Sequence, residues 1–377
     1  MSKAQTAVSA MDDNGKPVDW WFMYKVAGKS KTSDGSKATG EEYVYFDSNK
    51  QAGEKLHLSP NSIGDANKGA MSNTLNQIYN NQTDADLGWF FYNDEDPITD
   101  KTSSVRGHTK GVLCFNMASN TAFWLISSAP KFPLKGKYGY PETATGNAQT
   151  FLCITLQNAD TAKAIAAQMY VAQQPQVYLA SAVPTELKSQ ATDPRVLLLE
   201  NKITSDKTAY GNFIKFTSKA GTVFRSVAKN KEWNSPEGND FYNDLVGPML
   251  KESLDVETWE HGKEPSNLEG DKVHHIMAMK EVDLAPLGIK PSYSWSEESD
   301  HAKLVISQQE ETPHFVCVGD INFTVTMEKR CGGTVAFQCD ALWNSLIEIL
   351  SATTVKPTKP GAKPKATEKK ETAKGAH

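Results

Sequence analysis

The stretch "VRGHTKGVLCFN" (Val105–Asn116) joins a histidine and a lysine, two residues apart, to an apolar run. Side chains two residues apart in an extended strand point to the same face of a sheet, so we expect His108 and Lys110 to face the same way. The run that follows, Gly111–Phe115, is short and apolar, which is typical of a buried strand. The sequence therefore predicts a strand that presents an imidazole and an ammonium group at its start.

The same pattern returns 193 residues further along, in "DHAKLVIS" (Asp300–Ser307). Each copy is His-x-Lys, then an apolar strand, then a second strand that ends in small or polar residues, "WLISSAP" or "CVGDINF". His301 and Lys303 are therefore expected to share a strand face in the same way. If a pseudo-twofold axis relates two halves of the chain, the two histidines meet at the seam with a lysine beside each.

Two imidazoles and two ammonium groups suit the cleavage of a phosphodiester. The ammonium groups neutralise charge that develops on the phosphoryl oxygens, so we expect no metal site and no cofactor. A neutral imidazole can attack phosphorus while an imidazolium protonates the leaving alkoxide. Because imidazole has an ordinary pKa of about 6.5, we expect an acid-shifted optimum. We assign His108 as nucleophile and His301 as general acid, with the reverse assignment left open.

Strand-like and helix-like segments mix on both sides of the midpoint, which favours an α/β fold of mixed sheets with flanking helices. "DWWFMYKV" and "LGWFFYND" are typical of strands, and the alanine-rich "ADTAKAIAAQMYVAQ" predicts a helix. We expect an N-terminal half over residues 1–185 with the first motif, and a C-terminal half over 186–353 with the second. The Lys- and Pro-rich tail, residues 354–377, is predicted to be disordered.

The net charge of the 377 residues is -5, and the tail contributes +5, which leaves -10 on the remainder. An acidic body can still bind a polyanion where lysines line one groove or where acid protonates its carboxylates. The mean hydropathy is -0.50 and no apolar run is long enough to span a bilayer, so we expect no membrane partner. We identify no signal peptide in the chain as given.

The five cysteines are too few for a disulfide scaffold, and none shows the spacing of a zinc site. Cys114 and Cys153 lie in apolar runs and are expected in the core. A bridge from Cys317 to Cys331 or to Cys339 is left open. The carboxylates of "YNDEDPITD" offer a magnesium site as an alternative, but a solvated loop is favoured.

A series of segments resembles the successive signatures of the deoxyribonuclease II family, in order, over roughly Val18–Leu350: "GHTKGVLCF", "AFWLISSAPKFP", "AQTFLCITL", "DHAKLVI", "CVGDIN" and "GGTVAFQ". The resemblance implies an acid-active, metal-independent DNA endonuclease that leaves 3′-phosphate ends. It also implies a phospholipase-D-like fold whose two halves meet at one active site. Family members act in lysosomal, secreted or other acidic extracytoplasmic settings, and the compartment of this protein stays unknown.

By this resemblance, the two His-x-Lys pairs occupy the catalytic motif positions. Substrate-binding candidates are Asn322, Asp320, Ser128 and Arg225. We expect Asn322 in "GDIN" to help hold the phosphate, whereas Asp320 and Ser128 either contact it or cap the strand ends. Arg225, with Lys229 and Lys231, is a candidate for contacts with the DNA backbone. We interpret His57, His261 and His314 as structural.

Three functions agree with these observations. The first is sequence-independent hydrolysis of double-stranded DNA through a phosphohistidine. The second is the same chemistry on another phosphodiester, such as a phospholipid, which would require an apolar docking surface. The third is a catalytically inactive relative that binds DNA. A homodimer is one arrangement for the seam, and a seam made within one chain is the other.

Overall fold

The computed structural model describes residues 6–234, 239–259, 274–309 and 312–352. His261 and the tail predicted to be disordered, residues 354–377, lie outside these ranges. The strands are β1 (Ala10–Met11), β2 (Pro17–Val18), β3 (Trp20–Lys25), β4 (Lys31–Thr32), β5 (Tyr43–Asp47), β6 (His57–Leu58), β7 (Leu87–Asn93), β8 (Lys110–Asn116), β9 (Thr121–Ser127), β10 (Gln149–Leu156), β11 (Val177–Ala180), β12 (Gly211–Thr217), β13 (Val223–Lys229), β14 (Leu254–Thr258), β15 (Ile276–Ala278), β16 (Glu281–Asp283), β17 (Tyr293–Ser296), β18 (Lys303–Ser307), β19 (Phe315–Gly319), β20 (Gly332–Gln338) and β21 (Leu350–Ser351). The α-helices are α1 (Ala70–Tyr79), α2 (Ala159–Gln168), α3 (Pro194–Leu199), α4 (Gly247–Leu250) and α5 (Asp340–Ile349).

Two large sheets account for most of these strands. Within the described residues, the first sheet has the order β11-β7-β8-β9-β10-β3-β5-β6 and the second has the order β12-β13-β20-β19-β18-β14-β15. Pairing within both is antiparallel except between β14 and β15. A small sheet, β21-β16-β17-β4, combines strands from both ends of the chain, and β1 pairs with β2. The mixed α/β class expected from the sequence is confirmed.

The two large sheets repeat one pattern. The run β7-β8-β9-β10-β3-β5 of the first sheet corresponds to β14-β18-β19-β20-β13-β12 of the second. The register agrees: Lys110 lies opposite Asn93, and Lys303 lies opposite Thr258, at the same point of the corresponding strand pairs. The two sheets differ in the chain order of their last strand pair. In the first sheet the inner strand β3 comes before the outer strand β5, whereas in the second sheet the outer strand β12 comes before the inner strand β13.

The sheets pack through their inner faces, where one apolar cluster takes residues from both, such as Phe22 and Trp124 with Phe224 and Phe337. The outer face of the first sheet is covered by α1, whose Met71, Leu75 and Ile78 are buried as the helical spacing predicts. Residues around α4 cover the outer face of the second sheet. The two sheets share one apolar core. The division of the chain into two halves at residue 185 stays a prediction.

Helix α2 shows how local sequence forms the central layer. The side chain of Asn158 accepts a hydrogen bond from the backbone N–H of Thr161 and caps the helix. Alanines on its inner side allow it to lie close to β8, β9 and β10. The helix continues as one π-helical turn, Met169–Gln173, and ends at Gln174, which adopts a left-handed conformation. This end of α2 lies beside the first His-x-Lys motif.

All five cysteines lie in the described residues and are free thiols. Cys114 and Cys153 are fully buried in the core, as expected. Neither of the two bridges that the sequence left undecided, from Cys317 to Cys331 or to Cys339, is present, because Cys317 lies opposite Ala336 in the β19–β20 ladder. Cys331 precedes β20 and Cys339 follows it, so both lie several residues along the strand from Cys317. In the part of the chain that the structure describes, no helix is long and apolar enough to cross a bilayer.

Candidate active site

The first motif is fixed by a close backbone approach just before β8. Gly107 is buried, and its N–H donates a hydrogen bond to the carbonyl oxygen of Gln174 at 2.9 Å. A Cβ at Gly107 would lie 1.8 Å from the carbonyl oxygen of Gln173, so no other residue fits. The close approach and this hydrogen bond fix the backbone of Gly107 directly before His108.

His108 is bound by residues of the second sheet. Its backbone N–H donates to the carbonyl oxygen of Cys331 at 2.8 Å, and its Nδ1 lies 2.5 Å from the carbonyl oxygen of Asp320. A carbonyl only accepts, so this contact requires the proton on Nδ1 and leaves the lone pair on Nε2. Burial, and after it the charge of Lys110, lowers the pKa of His108 to about 3, so the ring is neutral. The side chain is only half-buried and remains accessible to a substrate.

Lys110 belongs to a buried charge network. Its backbone N–H donates to Oδ1 of Asp320 at 3.3 Å, and its Nζ pairs with Asp94 at 2.5 Å. Nη2 of Arg330 lies 3.1 Å from the other oxygen of Asp94. Burial alone would raise the pKa of Asp94, but Lys110, His108 and Arg330 hold it well below its ordinary value. Asp94 therefore stays ionised and fixes the Lys110 side chain.

The second motif is bound by residues of all three neighbouring sheets. Asp300 is fully buried, and its carboxylate accepts from the Tyr24 hydroxyl and from Nε1 of Trp295. The next residue, His301, donates its backbone N–H to the carbonyl oxygen of Ala148 at 2.9 Å. Its ring centroid lies 4.0 Å from that of Trp259. These contacts place His301, also half-buried, on the same edge of the paired sheets as the first motif.

Lys303 completes the second motif at the start of β18. Its N–H donates to Oγ1 of Thr150 at 3.3 Å, and its Nζ donates to the carbonyl oxygen of His301. Burial, and then the charge of Lys110, lowers the pKa of Lys303 to about 7. Lys303 in turn lowers the pKa of His108. Both lysines therefore act on one volume at the seam between the sheets.

Asp320 connects the two histidine–lysine pairs electrostatically. It lies directly after β19, and its N–H donates to the carbonyl of Gly333 at 2.9 Å. Burial raises the pKa of Asp320 to about 8, and the nearby charge of Lys110 opposes this effect only in part. The carboxyl group is therefore neutral in acid, when Lys303 is charged. The site consequently has its highest positive charge below about pH 7.

The other candidates differ in position. Asn322 is 5% exposed, and in the described residues its Oδ1 has no hydrogen-bond partner, which leaves it free for a ligand. Ser128 occupies the position after β9 that Asp320 occupies after β19, but its hydroxyl donates to Gln149 and accepts from the N–H of Thr150. In these contacts Ser128 caps the end of β9, and its expected contact with phosphate stays a prediction.

The basic residues of β13 lie elsewhere. The guanidinium of Arg225 lies over the ring of Phe315 at 4.8 Å, four residues along the strand from the site edge, so the structure does not bring it to the motifs. Lys229 is fully buried and donates to three backbone carbonyls, so the expectation that it contacts DNA is wrong. Lys231 is exposed and lies near Glu232.

The histidines interpreted as structural pack against aromatic rings. His57 lies edge-on to Tyr45, and His314 stacks on Trp343. In the acidic loop, Asp94 forms ion pairs with Lys110 and Arg330. No group of three or more His, Cys, Asp or Glu side chains suited to a metal ion occurs in the described ranges.

Sequence reasoning missed Asp94, Arg330 and Trp259. The position of Asp94, one residue after a buried strand that pairs with the motif strand, was a usable signal for the first. Trp259 occupies the equivalent position after β14. Arg330 had no sequence signal, because only the packing of the two sheets brings it to Asp94.

The deoxyribonuclease II family model matches residues 9–355 of the chain. The chain belongs to the deoxyribonuclease II family. It is 42% identical to the protein named "Putative deoxyribonuclease-2" of Burkholderia thailandensis, over 91% of this chain and 92% of the relative. It is 31% identical to Plancitoxin-1 of Acanthaster planci, over 88% of each chain. It is also 31% identical to Deoxyribonuclease-2-alpha of Rattus norvegicus, over 92% of this chain and 94% of the relative.

Membership of the deoxyribonuclease II family confirms the resemblance found in the sequence, and with it the enzyme class, a deoxyribonuclease. The 42% identity to the Burkholderia protein indicates a bacterial-type member of the family. The phospholipase-D-like fold implied by the resemblance agrees with the two mixed sheets. The roles of the individual site residues remain proposals.

Proposed function

We propose that this protein is an endonuclease that hydrolyses double-stranded DNA without sequence preference, through a phosphohistidine on His108. The observation that carries the proposal is the 2.5 Å contact between Nδ1 of His108 and the carbonyl oxygen of Asp320, which leaves Nε2 able to attack. The names of the relatives support DNA as the substrate. Lysines and histidines contact phosphates, and phosphate contacts carry no base sequence.

The reaction proceeds in two steps. Nε2 of His108 attacks phosphorus, the bond to the 5′ oxygen breaks, and the His301 imidazolium gives its proton to that oxygen. The neutral His301 then takes a proton from water, whose oxygen attacks phosphorus and breaks the bond to His108. The products are a 3′-phosphate and a 5′-hydroxyl, and the protonated His301 is regenerated. Lys110 and Lys303 stabilise charge on the phosphoryl oxygens, and Asn322 helps to position the phosphate.

The proposal is tested by nicking of a supercoiled plasmid at about pH 5, with and without a chelator in excess. We expect equal rates, because the lysines supply the positive charge that a metal ion would otherwise supply. The nicked ends should resist extension by a polymerase until a phosphatase removes the 3′-phosphate. Loss of cleavage in chelator would contradict the metal-independent mechanism. Binding without cleavage would instead favour the inactive relative, and cleavage of a phospholipid in place of DNA the other phosphodiesterase.

Cleavage is expected to fall as the pH rises through 7 to 8. Lys303, with its pKa at about 7, loses its positive charge in this range, and Asp320, with its pKa at about 8, becomes negative. Both changes weaken binding of a phosphodiester, so KM for DNA should rise. In Asp320→Asn, which keeps the oxygen that accepts from Lys110, the rise in KM above pH 8 should be smaller. An unchanged KM profile would contradict this electrostatic explanation.

Lys303→Met is expected to lower the cleavage rate by about 10²-fold or more, because it removes charge stabilisation at the reacting phosphate. The substitution keeps the length of the side chain in a buried position. The measurement is single-turnover cleavage of a defined duplex. Lys202→Met, an exposed lysine that pairs with Glu200, is the control and should retain its rate. A rate within about threefold of wild type would exclude a catalytic contribution of Lys303.

A homodimer remains a proposal for the oligomeric state of the protein. Both motifs come from one chain, so the active site needs no second copy. Sedimentation of the active protein would determine whether it dimerises.

A further inference from the structure

Two fully buried lysines, Lys25 and Lys229, occupy equivalent positions in the two halves. Lys25 ends β3 and lies opposite Gln149, the first residue of β10. Lys229 ends β13 and lies opposite Gly332, the first residue of β20. Both lysines therefore lie at the end of the strands at which the two motifs also lie.

Each ammonium group binds backbone carbonyls. Nζ of Lys25 donates to the carbonyl oxygens of Val26, Gly40 and Thr145 at 2.9, 2.9 and 3.0 Å. Nζ of Lys229 donates to those of Met327, Glu328 and Arg330 at 3.3, 2.7 and 2.7 Å. An ammonium group has three N–H donors, so both groups are saturated. In the described part of the chain, neither lysine forms an ion pair, which is unusual for a buried charge.

At least one carbonyl held by each lysine lies shortly before the residue that binds a catalytic histidine. Thr145 is three residues before Ala148, whose carbonyl accepts the backbone N–H of His301 at 2.9 Å. Arg330 directly precedes Cys331, whose carbonyl accepts the N–H of His108 at 2.8 Å. The same arrangement therefore occurs twice, with the lysine and its carbonyls in one half and the histidine in the other.

We propose that Lys25 and Lys229 are positioning residues, Lys25 for His301 through Ala148 and Lys229 for His108 through Cys331. This inference rests on the proposed phosphohistidine mechanism. Each lysine gathers three carbonyls, which would otherwise repel one another, around one positive charge. Those of Lys229 all come from the segment before Cys331, and one of those of Lys25 comes from the segment before Ala148. Each segment then presents the next carbonyl at a fixed place, and the imidazole beyond it is held in line with the phosphate.

The protonation state agrees with acid activity. Burial lowers the pKa of Lys25 to about 7 and that of Lys229 to about 8. Below these values each group is an ammonium ion with three donors, whereas the neutral amine has two. Both lysines are therefore fully protonated under the mildly acid conditions of the proposed reaction.

The test uses Lys25→Met and Lys229→Met with two substrates. One is a duplex with an ordinary phosphodiester, and the other is the same duplex with sulfur in place of the 5′ bridging oxygen at one position. A thiolate leaves without protonation, so the second substrate does not need the general acid. We expect each variant to lose about tenfold or more in the single-turnover rate of strand cleavage, the step that forms the phosphohistidine, on the ordinary duplex. On the sulfur duplex, Lys25→Met should recover to within about threefold of wild type, and Lys229→Met should not.

Arg195→Met is the matched control, because Arg195 is a buried cation that binds Asp193 and the carbonyl of Ala159. Its guanidinium lies over the ring of Phe115, five residues along β8 from Lys110. It should lower the unfolding midpoint while changing the single-turnover cleavage rate of neither substrate by more than about threefold. Lys25→Gln and Lys229→Gln, which keep one amide donor group, repeat the comparison if a methionine variant does not fold.

Equal losses on both substrates in both lysine variants, or losses no larger than that of Arg195→Met, would overturn the inference. The reverse pattern, with recovery only in Lys229→Met, would support the positioning and exchange the roles of the two histidines. Failure of the mechanism itself is recognised separately, because His108→Ala or His301→Ala would then retain cleavage. The inference and the proposed function can therefore fail independently.

Discussion

His108→Ala is expected to lower DNA cleavage by at least about 10⁴-fold, because it removes the atom that attacks phosphorus. The hydrogen bonds from the Lys110 N–H to Asp320 and from the backbone N–H of residue 108 to the carbonyl oxygen of Cys331 do not depend on the imidazole, so the fold should persist. The measurement is single-turnover cleavage of a labelled duplex at mildly acid pH. Circular dichroism and the unfolding midpoint establish that the variant is folded.

His314→Ala provides the control for this substitution. His314 stacks on Trp343 and precedes β19, whereas the active site lies at the other end of that strand. It should keep a rate within about threefold of wild type. Full activity of a folded His108→Ala variant would show that another group attacks phosphorus, and the assignment from the Nδ1 contact would be wrong.

His301→Ala is expected to lower cleavage of the ordinary duplex by about 10² to 10⁴-fold, the usual contribution of a general acid. The duplex with a 5′ bridging sulfur should regain most of this loss, since its leaving group needs no proton. Hydrolysis of the phosphohistidine should still be slow, because the base that activates water is missing. His301→Ala should therefore accumulate DNA bound covalently to the protein.

The covalent species can be identified by its stability, since a phosphorus–nitrogen bond survives alkali and breaks in acid. The double variant, His108→Ala with His301→Ala, is the control and should form none. If covalent DNA forms in His108→Ala and not in His301→Ala, the roles of the histidines are reversed. Rapid cleavage of the ordinary duplex by His301→Ala would remove the pairing of the two motifs altogether.

The two halves are similar in backbone but differ in the residues that surround each motif. After β7 comes Asp94, which pairs with Lys110, and after β14 comes Trp259, whose ring packs on His301. Asp320 follows β19 and binds His108, whereas Ser128 follows β9 and binds within its own sheet. These differences place the two histidines in different surroundings, with Nδ1 of His108 against the carbonyl oxygen of Asp320 and the ring of His301 against Trp259.

The sequence by itself determined the family and the α/β class, and it predicted the four motif residues as a group. It could do so because a strand alternates its side chains with a period of two, so a local pattern fixes which groups leave the sheet together. The burial of Cys114 and Cys153 and the apolar face of α1 followed from the same periodicity. Each of these features depends on neighbours in the chain.

The tertiary structure alone decided how the site is held. His108 is bound through Cys331 and Asp320, and His301 through Ala148, partners that lie between 153 and 223 residues away in sequence. It also showed that Lys229, expected to contact DNA, is buried and donates to backbone carbonyls. The hydroxyl of Ser128 donates to Gln149. Such contacts depend on the packing of one sheet on the other, and no local pattern encodes that packing. The physical reason is that hydrogen bonds and charges act over a few ångströms of space, whatever the separation along the chain.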